Sequence, residues 1–325
     1  MTTFSQAEIV VNNVSQSSGQ INSNWSSADV DMLLNGDVSN AEPSPQGSVT
    51  VKTTVRNGAT SNNIKPIVDT SGFNSSPNVN ARAALVMDAQ TGEVLYSKNS
   101  NSALPIASIT KLMTAVVIAD ARLNMSENIT LQQADFSCAG CKSSSSTLRA
   151  GDTMNRAEAL LFALMKSENP AASALARTYP GGRAAFIAAM NSKAKQLGMT
   201  NTHYMESTGL HPGNVASARD LGILVSAASQ YGLIRQFSTT PTYDFNLGYR
   251  VLKSNNTNAL VRNGGWNINI SKTGFINEAG RCVVMHTTLN KRPAVVVILG
   301  APTTQARNDT AVNLMTWTSQ LPQKL

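Results

Sequence analysis

Strand-like apolar segments stand at both ends of the patterned part of this chain, and helical ones fill the space between. Ala84-Leu85-Val86-Met87 and Val94-Leu95-Tyr96 flank the turn cluster Asp88-Ala89-Gln90-Thr91-Gly92, which predicts a β-hairpin. From Pro105 the period changes, and Leu112, Met113, Val116, Val117 and Ala119 recur at helical spacing. Further helices are predicted over 156–166, 170–177, 183–197 and 218–230, with Gly198 and Gly232 where helices should stop. Strands return at 249–252, 257–261, 268–273, 282–288 and 294–299, the last two joined by a turn at Asn290-Lys291-Arg292-Pro293. A final helix covers about 304–321. This order predicts an α+β fold, with a sheet whose first and last strands come from opposite ends of the chain and a helical insert between them.

The segment before Ala81 has a different character. Residues 1–80 are dominated by Ser, Asn, Thr and Gly, sustain no apolar face, and read as a disordered polar tail or linker. Weak strand signals occur there at 48–55 and 64–68. Residues 81–325 are long enough for one large core. The net charge of +7 suits an anionic partner such as a wall polymer, nucleic acid or membrane surface. No Lys/Arg run is interleaved with aromatics, and aromatics make up only 5%, which argues against nucleic acid. No segment reaches the roughly 20 apolar residues of a membrane span, so no integral membrane segment is expected. Residues 1–20 contain neither the basic nor the apolar stretch of an export signal.

Three cysteines are too few for a disulfide-built fold of this size. Cys138-Ala139-Gly140-Cys141 has metal-ligand spacing, but no second Cys or His pair completes a zinc set. A local disulfide and two free thiols both remain open for this pair. Cys282 opens an apolar run and reads as a buried small residue. No metal or organic cofactor is implied.

Three short motifs carry chemistry. Ser108 and Lys111, in Ala107-Ser108-Ile109-Thr110-Lys111, stand three apart at the start of the first long helix and share a face. Helix-terminal amides favour a developing anion, and a lysine with a lowered pKa can take a serine proton. Alone the spacing is weak, because Ser192-Lys193-Ala194-Lys195 repeats it on an ordinary helix. Ser167-Glu168-Asn169 follows the apolar run 160–165; its serine could relay a proton and its amide could hold a peptide bond. It too is weak alone, since Ser126-Glu127-Asn128 is identical. Lys272-Thr273-Gly274 ends a strand-like alternation and occurs once. Its lysine and hydroxyl could hold a carboxylate, and Gly274 would let a substrate backbone approach. The amides of Ser108 and Phe275 could then form an oxyanion hole. The order of the three, each in its expected context, turns weak signals into a strong one.

At these residues the chain resembles the low-molecular-mass penicillin-binding proteins, the serine D-alanyl-D-alanine peptidases. Asp88-Ala89-Gln90-Thr91-Gly92-Glu93-Val94-Leu95-Tyr96, Leu104-Pro105-Ile106-Ala107-Ser108, Glu206-Ser207-Thr208-Gly209-Leu210 and Ser217-Ala218-Arg219-Asp220-Leu221 resemble that family as well. The Thr-Gly-Phe continuation and the absence of a β-rich domain and anchor are closest to its endopeptidase branch, which cuts cross-links between wall peptides. The resemblance implies a β-lactamase/DD-peptidase-like transpeptidase fold, an antiparallel sheet flanked by helices with a helical subdomain, over 81–325. It implies Ser108 as nucleophile, Lys111 as proton acceptor, and Ser167 as relay to the leaving group, aided by Lys111. Asn169 would hold the substrate amide. Lys272 and Thr273 would bind the substrate carboxylate, with Lys272 also depressing the Lys111 pKa. Peptidoglycan stem peptides would be substrates, β-lactams covalent inhibitors, and the periplasm the place of action.

Rival readings keep the same centre. A carboxypeptidase would use identical residues. A β-lactamase needs a carboxylate poised to activate water, and neither Glu168 nor Glu206 stands in a Glu-x-x-Leu-Asn context. A non-catalytic wall-binding scaffold has no need of Ser108, Lys111 and Lys272 together. A Ser-His-Asp centre lacks the Gly-x-Ser-x-Gly elbow, so His203, His211 and His286 need no role.

Overall fold

The computed structural model describes residues 76–322. Apart from residues 76–80, the expected tail and its strand signals at 48–55 and 64–68 lie outside the described residues. In chain order the strands are Ala83–Asp88 (β1), Val94–Lys98 (β2), Leu104–Pro105 (β3), Asn128–Thr130 (β4), Thr153–Asn155 (β5), Val215–Ala216 (β6), Thr242–Asn246 (β7), Val251–Asn255 (β8), Asn267–Ile276 (β9), Gly280–Leu289 (β10) and Arg292–Ala301 (β11). The helices are Thr110–Asp120 (α1), Arg156–Leu161 (α2), Asn169–Arg177 (α3), Gly182–Gln196 (α4), Ala218–Ala228 (α5), Gly232–Thr239 (α6), Ala259–Asn263 (α7) and Thr304–Ser319 (α8).

The main sheet has the order β2-β1-β11-β10-β9, every pair antiparallel. β1 pairs with β11, Ala83 opposite Leu299 and Asp88 opposite Ala294, so the two ends of the patterned chain meet in the sheet centre. The apolar runs of β1 and β11 are continuous because both faces are covered. Leu85, Val284, Val295 and Val297 face the core shared with α1 and α5. Ala84, Val86, Val283, Met285 and Val296 face Leu314 and Met315 of α8. This is the α+β layout expected from the sequence.

α1 is buried on every side from Thr110 to Ala119 and runs through the middle of the helical layer. Its burial matters for function, because any lysine on it loses water. Gly222 of α5 lies against β1, where an added Cβ would meet Leu85 Cδ2 at 2.9 Å.

Several boundaries differ from expectation for local reasons. Gly198 ends α4 as expected, with φ of 75°. Gly232 does not stop a helix; α5 ends at Ala228 and Gly232 opens α6. The segment 257–261 is not a strand, because Asn258 caps α7 by accepting the Leu260 amide. The strand expected at 249–252 is instead Val251–Asn255, paired with β7 in a separate hairpin. Helix 156–166 divides: α2 ends at Leu161 and Phe162–Lys166 widens into a π turn. The last hairpin turns at Asn290 and Lys291, both at positive φ, and Arg292 and Pro293 already belong to β11. Cys282 is fully buried, as expected.

Candidate active site

The three motifs converge where α1, the start of α3 and the edge strand β9 meet. Ala107–Ile109 forms one 3₁₀ turn that leads into α1, so Ser108 stands at the helix entrance while Lys111 lies one turn inside. Lys111 is 0% exposed. Its Nζ lies 2.9 Å from Ser108 Oγ, 2.7 Å from Asn169 Oδ1 and 2.6 Å from the Thr208 carbonyl oxygen. Burial pushes its ammonium down from the ordinary 10.5 to about 7, against the attraction of the Glu206 and Glu168 carboxylates.

That coordination dictates what a neutral Lys111 can do. A neutral amine has two N–H groups and one lone pair. Asn169 Oδ1 and the Thr208 carbonyl can only accept, so they take the two N–H groups. The lone pair is left facing Ser108 Oγ, as proton abstraction requires.

Ser167 ends the π turn at φ of 66°, which turns its side chain away from the helix axis and into the site. Lys272 Nζ donates to Ser167 Oγ at 2.9 Å and to the Thr273 carbonyl at 2.9 Å. The hydrogen-bond partner of Ser167 is therefore Lys272. Lys272 is also buried, and its pKa is held well below the lysine range by burial first, then by the charges of Lys111 and Arg307. The expected charge effect thus falls on Lys272, whereas Lys111 owes its shift to desolvation. Thr273 Oγ1 pairs with Thr257 Oγ1 at 2.7 Å.

Two hydrogen-bonded groups thus meet here, Lys111 with Ser108 and Asn169, and Lys272 with Ser167. Residues 71–303 match the serine peptidase family described as D-alanyl-D-alanine carboxypeptidase. The chain belongs to that family. It is 48% identical over 226 residues to the D-alanyl-D-alanine endopeptidase of Pseudomonas aeruginosa, covering 67% of this chain and 71% of that one. It is 44% identical over 253 residues to the D-alanyl-D-alanine endopeptidase of Escherichia coli, covering 75% and 78%. The crystal structure of a Streptomyces DD-transpeptidase superposes with a TM-score of 0.69 at 29% identity, over 76% of this chain and all of that one (100%). The chain is therefore a serine hydrolase with the penicillin-binding fold.

Two glycines hold the Ser108 turn of this DD-peptidase from opposite sides. A Cβ on Gly209, at φ of 89°, would lie 1.9 Å from the Ala107 carbonyl oxygen and 2.7 Å from the Ser108 amide nitrogen. A Cβ on Gly274 would lie 2.9 Å from the Ile106 carbonyl oxygen and 3.0 Å from the same nitrogen. Gly274 thus admits the protein's own serine turn at the strand, in addition to any substrate. Between them Ala107 is held at φ of 48°, a conformation that costs a non-glycine residue free energy.

The loop 206–214 locks onto α1 through polar contacts. Thr114 Oγ1 donates to the Ser207 carbonyl at 2.7 Å, and Asn214 Nδ2 donates to Thr110 Oγ1 at 3.0 Å. Glu206 accepts the Thr208 amide on one oxygen and the Gly209 and His211 amides on the other. Glu168 is equally engaged: it accepts Ser146 Oγ at 2.5 Å on one oxygen and Thr147 Oγ1 at 2.6 Å on the other. Neither carboxylate is free to activate a water.

The wall facing Asn169 is the loop 137–148. Asn169 Nδ2 donates to Ser144 Oγ at 2.7 Å. Cys138 and Cys141 are joined by a disulfide in this loop. Among the described residues the one grouping of three possible metal ligands is Cys138, Cys141 and Glu206. Its sulfurs are spent on the disulfide and its carboxylate on backbone amides. No helix among the described residues is long and apolar enough to cross a membrane.

Proposed function

We propose that this enzyme is a D-alanyl-D-alanine endopeptidase that cleaves peptidoglycan cross-links through an acyl-enzyme on Ser108. The observation that carries the acyl-enzyme is the Lys111 amine, buried and bound so that its lone pair meets Ser108 Oγ, and the similarity to two named endopeptidases supports the choice of cross-links. Lys111 takes the serine proton as Ser108 attacks the carbonyl of the donor D-alanine at the cross-link. The Ser108 and Phe275 amides bind the oxyanion, at the helix entrance and on the edge of β9. Ser167, held by Lys272, delivers a proton to the leaving amine, and the lysine pair replenishes it. Asn169 aligns the acyl donor's amide. Lys272 and Thr273 hold the carboxylate beside the scissile bond, with Arg307 adding positive potential.

β-Lactams acylate the same serine. Their adduct deacylates slowly, because Glu168 and Glu206 are both occupied by hydrogen-bond donors, which disfavours the β-lactamase reading. A cross-linked wall substrate requires action in the periplasm, with a role in wall remodelling and cell shape. A Cys138–Cys141 disulfide suits that oxidising compartment.

The test is digestion of a purified cross-linked muropeptide dimer and of a monomer ending in D-Ala-D-Ala, by wild type and Ser108→Ala. Conversion of dimer to monomers by wild type alone supports the endopeptidase. Release of D-alanine from the monomer with the dimer intact would make it a carboxypeptidase, the activity in the family's description.

A further inference from the structure

The Cys138–Cys141 bridge does little for the fold as a whole. Its sequence separation is 3, so it removes little chain entropy, and a core of this size needs no staple. Its place says more. Just before it, Asp135 is buried and held by Arg177 and Arg183 at 2.9 Å and 2.5 Å, which anchors the chain entering the turn. Just after it, residues 141–146 form neither helix nor strand. That stretch reaches the active site through side chains. Ser144 Oγ accepts from Asn169 Nδ2 at 2.7 Å, and Ser146 Oγ donates to Glu168 at 2.5 Å. A hollow lined by Phe136, Cys138, Asn169, Ile187 and Leu210 lies between the turn, α3 and α4, so the turn is not packed tightly against those helices. Cys141 is held instead by the bridge, by its amide on the Cys138 carbonyl at 3.1 Å, and by the Lys142 amide on the Leu210 carbonyl at 3.0 Å. The bridge thus carries the anchorage at Asp135 over to Cys141. Ser144 stands three residues farther on, within roughly 10 Å of chain.

Ser144 matters through Asn169. Lys111 keeps its lone pair for Ser108 only while Asn169 Oδ1 stays on its Nζ. Held at both ends, by Lys111 and by Ser144, the amide has one position, and its second N–H remains for the substrate. Held at one end it turns, and an N–H swung toward Nζ takes the lone pair meant for the serine.

Cys138 is exposed, so a thiolate can reach its sulfur. Resting on the acyl-enzyme reading above, we propose that Cys138 and Cys141 are a reversible redox modification site, at which a dithiol reductant opens the bridge, frees Ser144 from Asn169 and slows acylation of Ser108. One thiolate of the dithiol attacks Cys138 Sγ, forms a mixed disulfide and releases Cys141 as a thiolate, which takes a proton. The second thiol of the reductant loses its proton, closes on the first and releases Cys138. Two electrons and two protons pass to the bridge, and the reductant leaves as a disulfide. Unbonded sulfurs cannot stay at bonding distance, so the turn widens and draws Ser144 away.

The test compares the oxidised enzyme, the enzyme reduced with dithiothreitol and then freed of it by gel filtration, and the same sample reoxidised. Alkylation and mass spectrometry count the thiols in each. The second-order rate of fluorescent penicillin labelling should fall roughly tenfold on reduction, the effect of a lost hydrogen bond at the base, and return on reoxidation. Amide hydrogen exchange over 142–148 should quicken, while the thermal melt barely moves. The double variant Cys138→Ser with Cys141→Ser should label at the reduced rate with or without prior dithiothreitol. Ser144→Ala should label slowly in both states, and Ser144→Thr, which keeps the hydroxyl, should recover the dependence. A bridge that stays closed under dithiothreitol, equal rates in the two states, or a Ser144→Ala enzyme that keeps the full dependence would each overturn the switch and spare the acyl-enzyme. Labelling in neither state overturns both.

Discussion

Lowering the pH through neutrality should switch off acylation of Ser108. Lys111 must be neutral to take the serine proton, and burial holds its pKa at about 7 instead of 10.5. A lysine at the ordinary value would be neutral at pH 7 in only about three molecules in ten thousand; here about half are, a gain on the order of a thousandfold in competent base. At pH 5 the neutral fraction falls to roughly one hundredth. The same displacement corresponds to roughly 5 kcal/mol carried by the fold. Its sign follows from proton counting: the native state binds fewer protons than the unfolded chain between about 7 and 10.5, so stability rises with pH through that window. Below the window the cost is fully present. Lys272 acts in the same direction. The assay is the second-order rate of fluorescent penicillin labelling from pH 5 to pH 9, repeated in Glu206→Gln. Removing that carboxylate removes an attraction that favours the charged amine, so the midpoint should move to lower pH. A rate independent of pH over this range, or a midpoint that rises in Glu206→Gln, would refute the assignment of Lys111 as base.

Gly209→Ala should cost on the order of 3 kcal/mol in thermal unfolding and most of the penicillin labelling, because the new methyl meets backbone at 1.9 Å; near-wild-type labelling would show that the serine turn can yield. Asp135 is buried beneath Arg177 and Arg183 at 2.9 Å and 2.5 Å, and Asp135→Asn should cost about 3 kcal/mol in a denaturant melt. Replacing Cys138 and Cys141 together with serine should cost about 2 kcal/mol or less, because the bridge closes a very short loop. A larger loss in a thermal melt would mean that the bridge braces more than its own turn.

The sheet was legible because its central strands are unbroken apolar runs separated by turn residues, as at Asp88-Ala89-Gln90-Thr91-Gly92. The meeting of the three motifs was legible because Ser108 and Lys111 share a helix face and the other two motifs follow in order. What escaped was non-local. Gly209 and Gly274 matter through contacts with a turn far along the chain, and Thr208 contributes only a carbonyl oxygen, which no side chain advertises. Arg307 stands in a helix that reads as an ordinary closing element. Gly232 misled because glycine both begins and ends helices; it lacks the positive φ of Gly198. Residues 257–261 misled because an apolar pair, Leu260-Val261, outweighed the capping asparagine before it. The pairing of Ser167 with Lys272 depends on the left-handed turn at Ser167, which sequence periodicity does not report.

The central claim is a covalent bond to one hydroxyl. Wild type and Ser108→Ala should be incubated with a fluorescent penicillin, digested, and analysed by mass spectrometry of the labelled peptide. A stable adduct on Ser108, absent from the variant, is the predicted result. An adduct on another residue, an unlabelled protein with the drug intact, or an unlabelled protein with the drug consumed would each contradict a slowly deacylating Ser108 centre.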